Sequence, residues 1–433
     1  MTSPQTISES LARLLPSSAG VDASGALTIG GCSVPELATE FGTPLFVFDE
    51  QHLRDTMRRY REGLATRWPN SRVCFASKSL PCLAAYAIAQ AEGISVDVVG
   101  EGELQLALTA GVNPANIVLH GNAKSFDEVA LARKNGVGLI VIDNETDVQL
   151  LAETEGSRQD VLVRVIPEIE TSTHPSIQTG GTDSKFGIPL DEVRVLIERL
   201  RDHPHIRVRG VHVHIGSQIL ETQSFAEALR VLSSVGDFDM YNVGGGLGVN
   251  YSTDDHAPEI EDYLDAISEI AQQVLPPNAQ LLIEPGRSLV AQSGLTVYRV
   301  RNVKQSHRSF VAVDGGMSEQ MNIALTDDRY TAVVADRVTE APTRTVQLVG
   351  RQCESGDLLV DEAQLHEPAQ GDTIALAVTG AYGYTFVNNY NGALHPAVVF
   401  CRDAEAKLAV RRQTLHEYLA PHAPALEIDW SEE

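Results

Sequence analysis

Several residue types that do chemistry close a series of short apolar runs: Lys78, Asp97, His120, Asp143, Arg164, His214, the triplet Gly244–Gly246, and Glu284. One polar residue at such a place is a solvated turn. A whole series in register is hard to explain as packing. Lys78 ends the run VCFASK, and a lysine with buried neighbours can lose its proton and form a Schiff base; the plain alternative is a snorkelling side chain. The chain has only six lysines among its 33 basic residues, so one inside a motif is less easily dismissed as surface filler. Three consecutive glycines leave bare backbone that can approach a phosphate and point N–H groups at it, although such triplets are also plain turns. Glu284 opens EPGR, which adds a carboxylate and the guanidinium of Arg287. An amine, a phosphate cradle and a carboxylate in one place suggest pyridoxal 5'-phosphate: Lys78 for the aldehyde, the glycines for the phosphate, Glu284 for the ring nitrogen. His212 and His214 sit two apart and share a strand face. A metal would need further ligands, and none has obvious spacing, so no metal is expected; one imidazole stacked on a cofactor ring is another use.

The elements that must position these residues follow from the apolar pattern. Candidate strands are 73–78, 94–99, 117–120, 138–143, 161–166, 208–214, 239–244 and 281–286. Amphipathic helical patterns such as SFDEVALARKNG lie between them. Eight strands alternating with helices fit a closed (β/α)8 barrel, where chemistry collects at the C-terminal strand ends. After about residue 290 short strand-like runs separated by turns read as an all-β region. ALTIGG and PLFVFD form a possible strand pair near the N-terminus. The expected division is a barrel over 45–290 and a β-sandwich or β-barrel built from 1–44 and 291–433.

The 433 residues carry a formal net charge of −25, with 43% hydrophobic and 21% charged residues. That is an ordinary globular balance. The negative charge argues against nucleic acid or an anionic membrane as a partner. Five scattered cysteines with no CxxC pair argue against a disulfide scaffold or a zinc site of that type. The N-terminus has no apolar core after a basic start, and no long apolar run occurs, so a cytoplasmic location is expected. Cys353 lies in a polar turn, where a cysteine is more often inert than reactive. Gly380–Gly392 is rich in Tyr and Asn with glycine hinges and reads as a loop near a polar ligand.

The segments FASKS, SVDVVGEGEL, HGNAKS, THPSIQTGGTDSKFGIP, HVHIGSQ, GGGLG, EPGR, DGGMS, CESGD and GAYGY…YN occur in this order over roughly residues 40–415. In them the chain resembles the fold-type III pyridoxal-phosphate decarboxylases, whose barrel is alanine-racemase-like, and most closely the diaminopimelate decarboxylase branch. The resemblance implies an amino-acid decarboxylase that converts meso-2,6-diaminopimelate to L-lysine and CO2. It implies Lys78 as the Schiff-base lysine, Asp97 beside the cofactor, His214 stacked on its ring and Glu284 on its nitrogen. Ser217, Gly244, Gly245, Gly246 and Tyr382 match phosphate-side contacts. Arg287 matches a substrate-carboxylate contact, with Tyr382 close to substrate as well. Cys353 and Glu354 match catalytic residues that a second copy inserts, which implies a homodimer with shared sites; Cys353 or Lys78 is the candidate proton donor.

One departure stands out. Where the family has an Arg-Pro-Ala-Leu-Tyr segment after DGGMS, this chain has Asn322 in place of the arginine and Thr326 in place of the tyrosine. The family uses those two, with the arginine of EPGR, to hold the substrate's distal carboxylate. A charged contact of that kind contributes about 1.5–3 kcal/mol. The substitutions therefore point to a second expectation, the same mechanism on another amino acid such as D-lysine or D-ornithine, unless a group such as Arg329 compensates. A racemase or a non-catalytic homologue is the remaining alternative; the intact Lys78 and CESGD argue against both.

Overall fold

The structure is a computed structural model that describes residues 6–169, 180–181, 184–326 and 328–428. Of the segment THPSIQTGGTDSKFGIP, residues 173–179 and 182–183 lie outside them. The chain divides into two compact units, one formed by residues 52–250 and 254–292, the other by 1–51, 251–253 and 293–433.

The first unit contains a closed barrel of eight parallel strands: β1 (Ser71–Ala76), β2 (Ser95–Val99), β3 (Ile117–His120), β4 (Leu139–Ile142), β5 (Gln159–Arg164), β6 (Ile206–His212), β7 (Met240–Asn242) and β8 (Gln280–Ile283). Each strand pairs with its sequence neighbours, and β8 closes on β1. Parallel strands covered on both faces require near-continuous apolar runs. LIVI of β4 and IVLH of β3 are buried at every position. Cys74, Val118, Leu139, Val141, Leu162 and Leu282, from five of the strands, pack as one cluster. The crossover helix Phe126–Asn135 starts at a capping box in which Ser125 and Glu128 satisfy each other's backbone N–H, and it ends at left-handed Gly136.

All eight expected barrel strands are present, with shifted ends. The ladder stops one to four residues before several of the functional side chains. Thus Lys78 lies beyond β1 in a single 3-10 turn (Ser77–Ser79), and His214 lies two residues past β6. The shift has a local cause at β7, which ends where Gly244 takes a positive φ of 70°.

The second unit holds a nine-stranded sheet. Its main path runs Leu358–Leu365, Arg344–Val349, Ser309–Val313, Gly294–Gln305, Leu45–Asp49, Ala397–Arg402, Glu405–Val410; Thr373–Leu376 pairs with Gly294–Gln305 and with Ala332–Val334. Two expectations need correction. Leu45–Asp49 belongs to this sheet and not to the barrel, because its two edges are taken by Gly294–Val297 and Ala397–Cys401. It also does not pair with Leu27–Ile29, which joins Gly20–Val21 and Cys32–Ser33 in a separate three-stranded sheet.

Candidate active site

The barrel mouth gathers its charges in layers. Lys78 is exposed between Ser77 and Ser79, both fully buried. Its turn is held by the Ser79 hydroxyl, which donates to the Ala76 carbonyl at 2.8 Å. The lysine is therefore presented on a fixed backbone. Asp97, at the next strand, accepts the Ser77 N–H at 3.2 Å. Burial, and then the charge of Glu284, push the Asp97 carboxyl well above the usual range, against the opposing pull of Lys78. Glu103 is raised by burial too, with Lys78 again pulling it down.

Glu284 is the most constrained group of the mouth. His120 Nε2 lies 2.9 Å from its Oε1, His212 Nε2 lies 3.1 Å from its Oε2, and Asn242 Nδ2 donates to Oε1 at 2.6 Å. The two imidazoles meet edge to face with centroids 4.9 Å apart. Burial alone would raise this carboxyl. His120 and His212 overcome burial and hold it well below the usual carboxylate range. Burial also pushes His212 down to about 4, so near neutrality it is an uncharged N–H donor. A carboxylate offers about four acceptor sites. Three N–H donors fill three of them, and a fourth remains for one more donor.

Sequence reasoning placed His120 at a strand end without a role, weighed His212 with His214 as a metal ligand or a ring-stacking imidazole, and missed Asn242. These residues come from β3, β6 and β7, and lie 164, 72 and 42 positions from Glu284. No local spacing links them. The ligand atoms of His120, His212 and Glu284 lie within 4.8 Å of one another, so a third group does stand beside the histidines. The contacts made are hydrogen bonds.

The glycine triplet is a close approach of backbone to backbone. A Cβ on Gly244 would sit 2.4 Å from the Val213 carbonyl oxygen, on Gly245 2.0 Å from that of Glu284, and on Gly246 2.5 Å from that of Gly216. The Gly244 N–H donates to Asn242 Oδ1 at 2.9 Å and the Gly245 N–H to His214 Nδ1 at 3.2 Å. Two of the three N–H groups expected to face a phosphate are thus used internally, and His214 has its remaining proton on Nε2. Burial, with Lys78 and Arg164 nearby, holds the His214 imidazole well below its usual pKa. Arg287 is buried; its Nε and an Nη approach the Ser217 hydroxyl at 3.3 and 3.2 Å. Lys124, another lysine of a motif, is committed elsewhere: it pairs with buried Asp147 at 2.8 Å.

A lysine on a fixed turn, a carboxylate kept ionised with one acceptor site to spare, a neutral imidazole and a glycine-bare strand end fit pyridoxal phosphate. Lys78 would hold its aldehyde and Glu284 its ring nitrogen.

The remaining candidates belong to the sheet unit. Cys353 and Glu354 are exposed at a turn whose flanks, Gln352 and Asp357, are buried. The Cys353 N–H donates to Asn391 Oδ1 at 2.7 Å, and the Tyr390 hydroxyl donates to Glu354. Tyr382 has a positive φ of 61° and stacks on Phe386. Asn322 is buried and donates to the Tyr330 hydroxyl at 2.9 Å; the Thr326 hydroxyl lies 2.8 Å from Asp328 Oδ2. No described helix is long and apolar enough to cross a membrane.

Comparison with known proteins agrees with this chemistry. Residues 50–291 match the family model for the pyridoxal binding domain of pyridoxal-dependent decarboxylases. The diaminopimelate decarboxylase of Bacillus subtilis is 39% identical over 92% of this chain and 96% of its own length. That of Staphylococcus aureus is 38% identical over 91% of this chain and 97% of its own. Among solved structures, a diaminopimelate decarboxylase from M. jannaschii in complex with L-lysine has a TM-score of 0.86 at 28% identity, covering 94% of this chain and 98% of that one. The chain belongs to the pyridoxal-dependent decarboxylases.

Proposed function

We propose that the chain removes one carboxylate from meso-2,6-diaminopimelate to give L-lysine and CO2. The observation that carries this reading is the Glu284 carboxylate, buried, ionised and three-fold supported at the mouth of a barrel whose relatives act as diaminopimelate decarboxylases. When bound, pyridoxal phosphate supplies the sink for the electrons of the broken carbon–carboxylate bond. Glu284 would hold the proton of the ring nitrogen through its spare acceptor site. Lys78 would hold the aldehyde and, as an alternative to Cys353, would return a proton to the substrate carbon. His214 would face the ring, with Asp97 on the lysine side. Gly246 and Ser217 would hold the phosphate side, where Gly244 and Gly245, whose N–H groups are used internally, contribute the absence of a side chain. Arg287 and Glu354 orient the substrate.

In this reading the barrel occupies about 52–292, and two copies form a homodimer in which Cys353 and Glu354 of one complete the site of the other. Their exposure at a turn with buried roots is what such an insertion needs. Release of CO2 and appearance of L-lysine from meso-diaminopimelate with purified holoenzyme test the activity. Lys78→Ala is expected to lower kcat by about 10³-fold. Where Cys353→Ala proves as inactive as Lys78→Ala, mixing the two tests the shared site: random exchange into heterodimers restores roughly a quarter of wild-type activity. No restoration under conditions where subunits exchange would refute shared sites.

A second reading has its own support. Asn322 is spent on Tyr330 and Thr326 faces Asp328, so neither presents a charge for a distal carboxylate, and Arg329 is exposed. This favours an amino acid lacking that carboxylate, such as D-lysine or D-ornithine. A kcat/KM for either that exceeds the value for meso-diaminopimelate by tenfold or more decides for the second reading.

A further inference from the structure

The sheet unit devotes an unusual set of buried polar groups to one turn. Ser318 is completely buried, and three segments meet on it. Its hydroxyl accepts from Gln352 Nε2 at 2.5 Å and donates to Glu319 Oε1 at 2.7 Å. Its carbonyl accepts the Asn388 N–H at 3.0 Å. Glu319 Oε2 in turn accepts the Gly316 N–H at 2.8 Å. Around this hub the 350–357 turn is tied to 315–318. Asp357 takes the Met317 N–H on one oxygen and the Gln352 N–H on the other, both at 2.7 Å, and the Arg351 N–H donates to the Gly315 carbonyl at 2.9 Å. The approach is close enough to demand glycine: a Cβ on Gly316 would lie 2.3 Å from both Asp357 Oδ1 and Gln352 Oε1.

The segment that donates to the Ser318 carbonyl also reaches the tip of the turn. Asn388 is three residues from Asn391, which accepts the Cys353 N–H, and two from Tyr390, which donates to Glu354. Ser318 therefore connects both walls that hold Cys353 and Glu354. Burying carboxyls and amides in this number is costly unless they are satisfied, and Gln352 Oε1 is buried here without a hydrogen-bond partner. A surface turn without a task would be held more cheaply by apolar packing.

We propose that Ser318 is a positioning residue, joining the root of the Cys353–Glu354 turn, through Gln352, to the Asn388–Asn391 segment that grips its tip. The proposal rests on the reading of Cys353 as a site residue, and its test separates the two. Ser318→Ala keeps the volume and removes both hydroxyl contacts. Gln352→Ala removes the same contact from the turn side. In holoenzyme each is expected to lower kcat by tenfold or more with KM changed less than threefold. Each should also raise the rate of Cys353 alkylation by iodoacetamide, read by peptide mass spectrometry, by at least threefold. The double variant should be no worse than either single one, because one connection is lost once. Wild-type alkylation and kcat in either folded variant, or effects that multiply in the double, overturn the proposal. A Cys353→Ala enzyme with unchanged kcat would remove the catalytic reading of Cys353 and leave the alkylation result to decide the positioning.

Discussion

Glu284 in the barrel unit and Glu319 in the sheet unit are both buried carboxyls, 5% and 2% exposed, yet they are prepared for opposite states. Glu284 receives three N–H donors from side chains and is held well below the usual range. Glu319 receives one hydroxyl and one backbone N–H, and burial raises it to about 7. Donor number and strength decide which side of desolvation wins. The barrel builds a permanent anion; the sheet unit builds a group that titrates near neutrality.

The comparison breaks most directly at the anion. Glu284→Gln keeps the shape but loses the charge, and kcat should fall about 10²-fold or more with little change in KM. A kcat within threefold of wild type would show that the charge is not what the site needs. Removing one supporter is milder: His212→Gln or Asn242→Ala should lower kcat about tenfold, about the worth of one charged hydrogen bond, and steady-state kinetics across the three variants orders them.

Stability against pH sharpens the contrast, because the two signs differ. Glu284, lowered from 4.5, adds stability that is present above about pH 4.5 and lost as pH falls through its folded value. Glu319, raised from 4.5 to about 7, favours the folded chain below about pH 4.5, and that contribution is lost as pH rises through 7. Thermal unfolding should therefore show Glu319→Gln gaining on wild type between pH 5 and 8, by at most about 3 kcal/mol. Glu284→Gln should keep a constant deficit over that range, with the gap narrowing only under more acid conditions. The smallest effect is kinetic: Glu319→Gln preserves size and one acceptor, so kcat near pH 8 should change only a few-fold, less than for Ser318→Ala.

Much of the fold was legible because parallel barrel strands must be apolar on both faces, so LIVI and IVLH announce themselves. The boundary drawn at 45 put LFVFD with the barrel region, because an apolar run does not show which partners it takes; those partners lie about 250 and 350 positions further along the chain. Single positions could be proposed for chemistry where one residue type has few uses, as with Lys78 and Glu284. The support of Glu284 was not, since His120, His212 and Asn242 are joined only by barrel closure. The Ser318 hub was hidden similarly: its segment and the Gln352 turn are 34 positions apart, and serine and glutamine are ordinary surface residues.

The placement of strand 45–49 also sets a clock. Leu45 pairs with Ala397 and Phe46 with Val398, and residues 45–49 are all 0% exposed in the folded chain. At ribosomal speed roughly 20–70 s separate the two strands. The eight barrel strands, by contrast, emerge in the order in which they pair. Until Gly294–Val297 emerges this early, strongly apolar segment has neither partner, and until Ala397–Cys401 follows it keeps one edge open to pairing with other newborn chains.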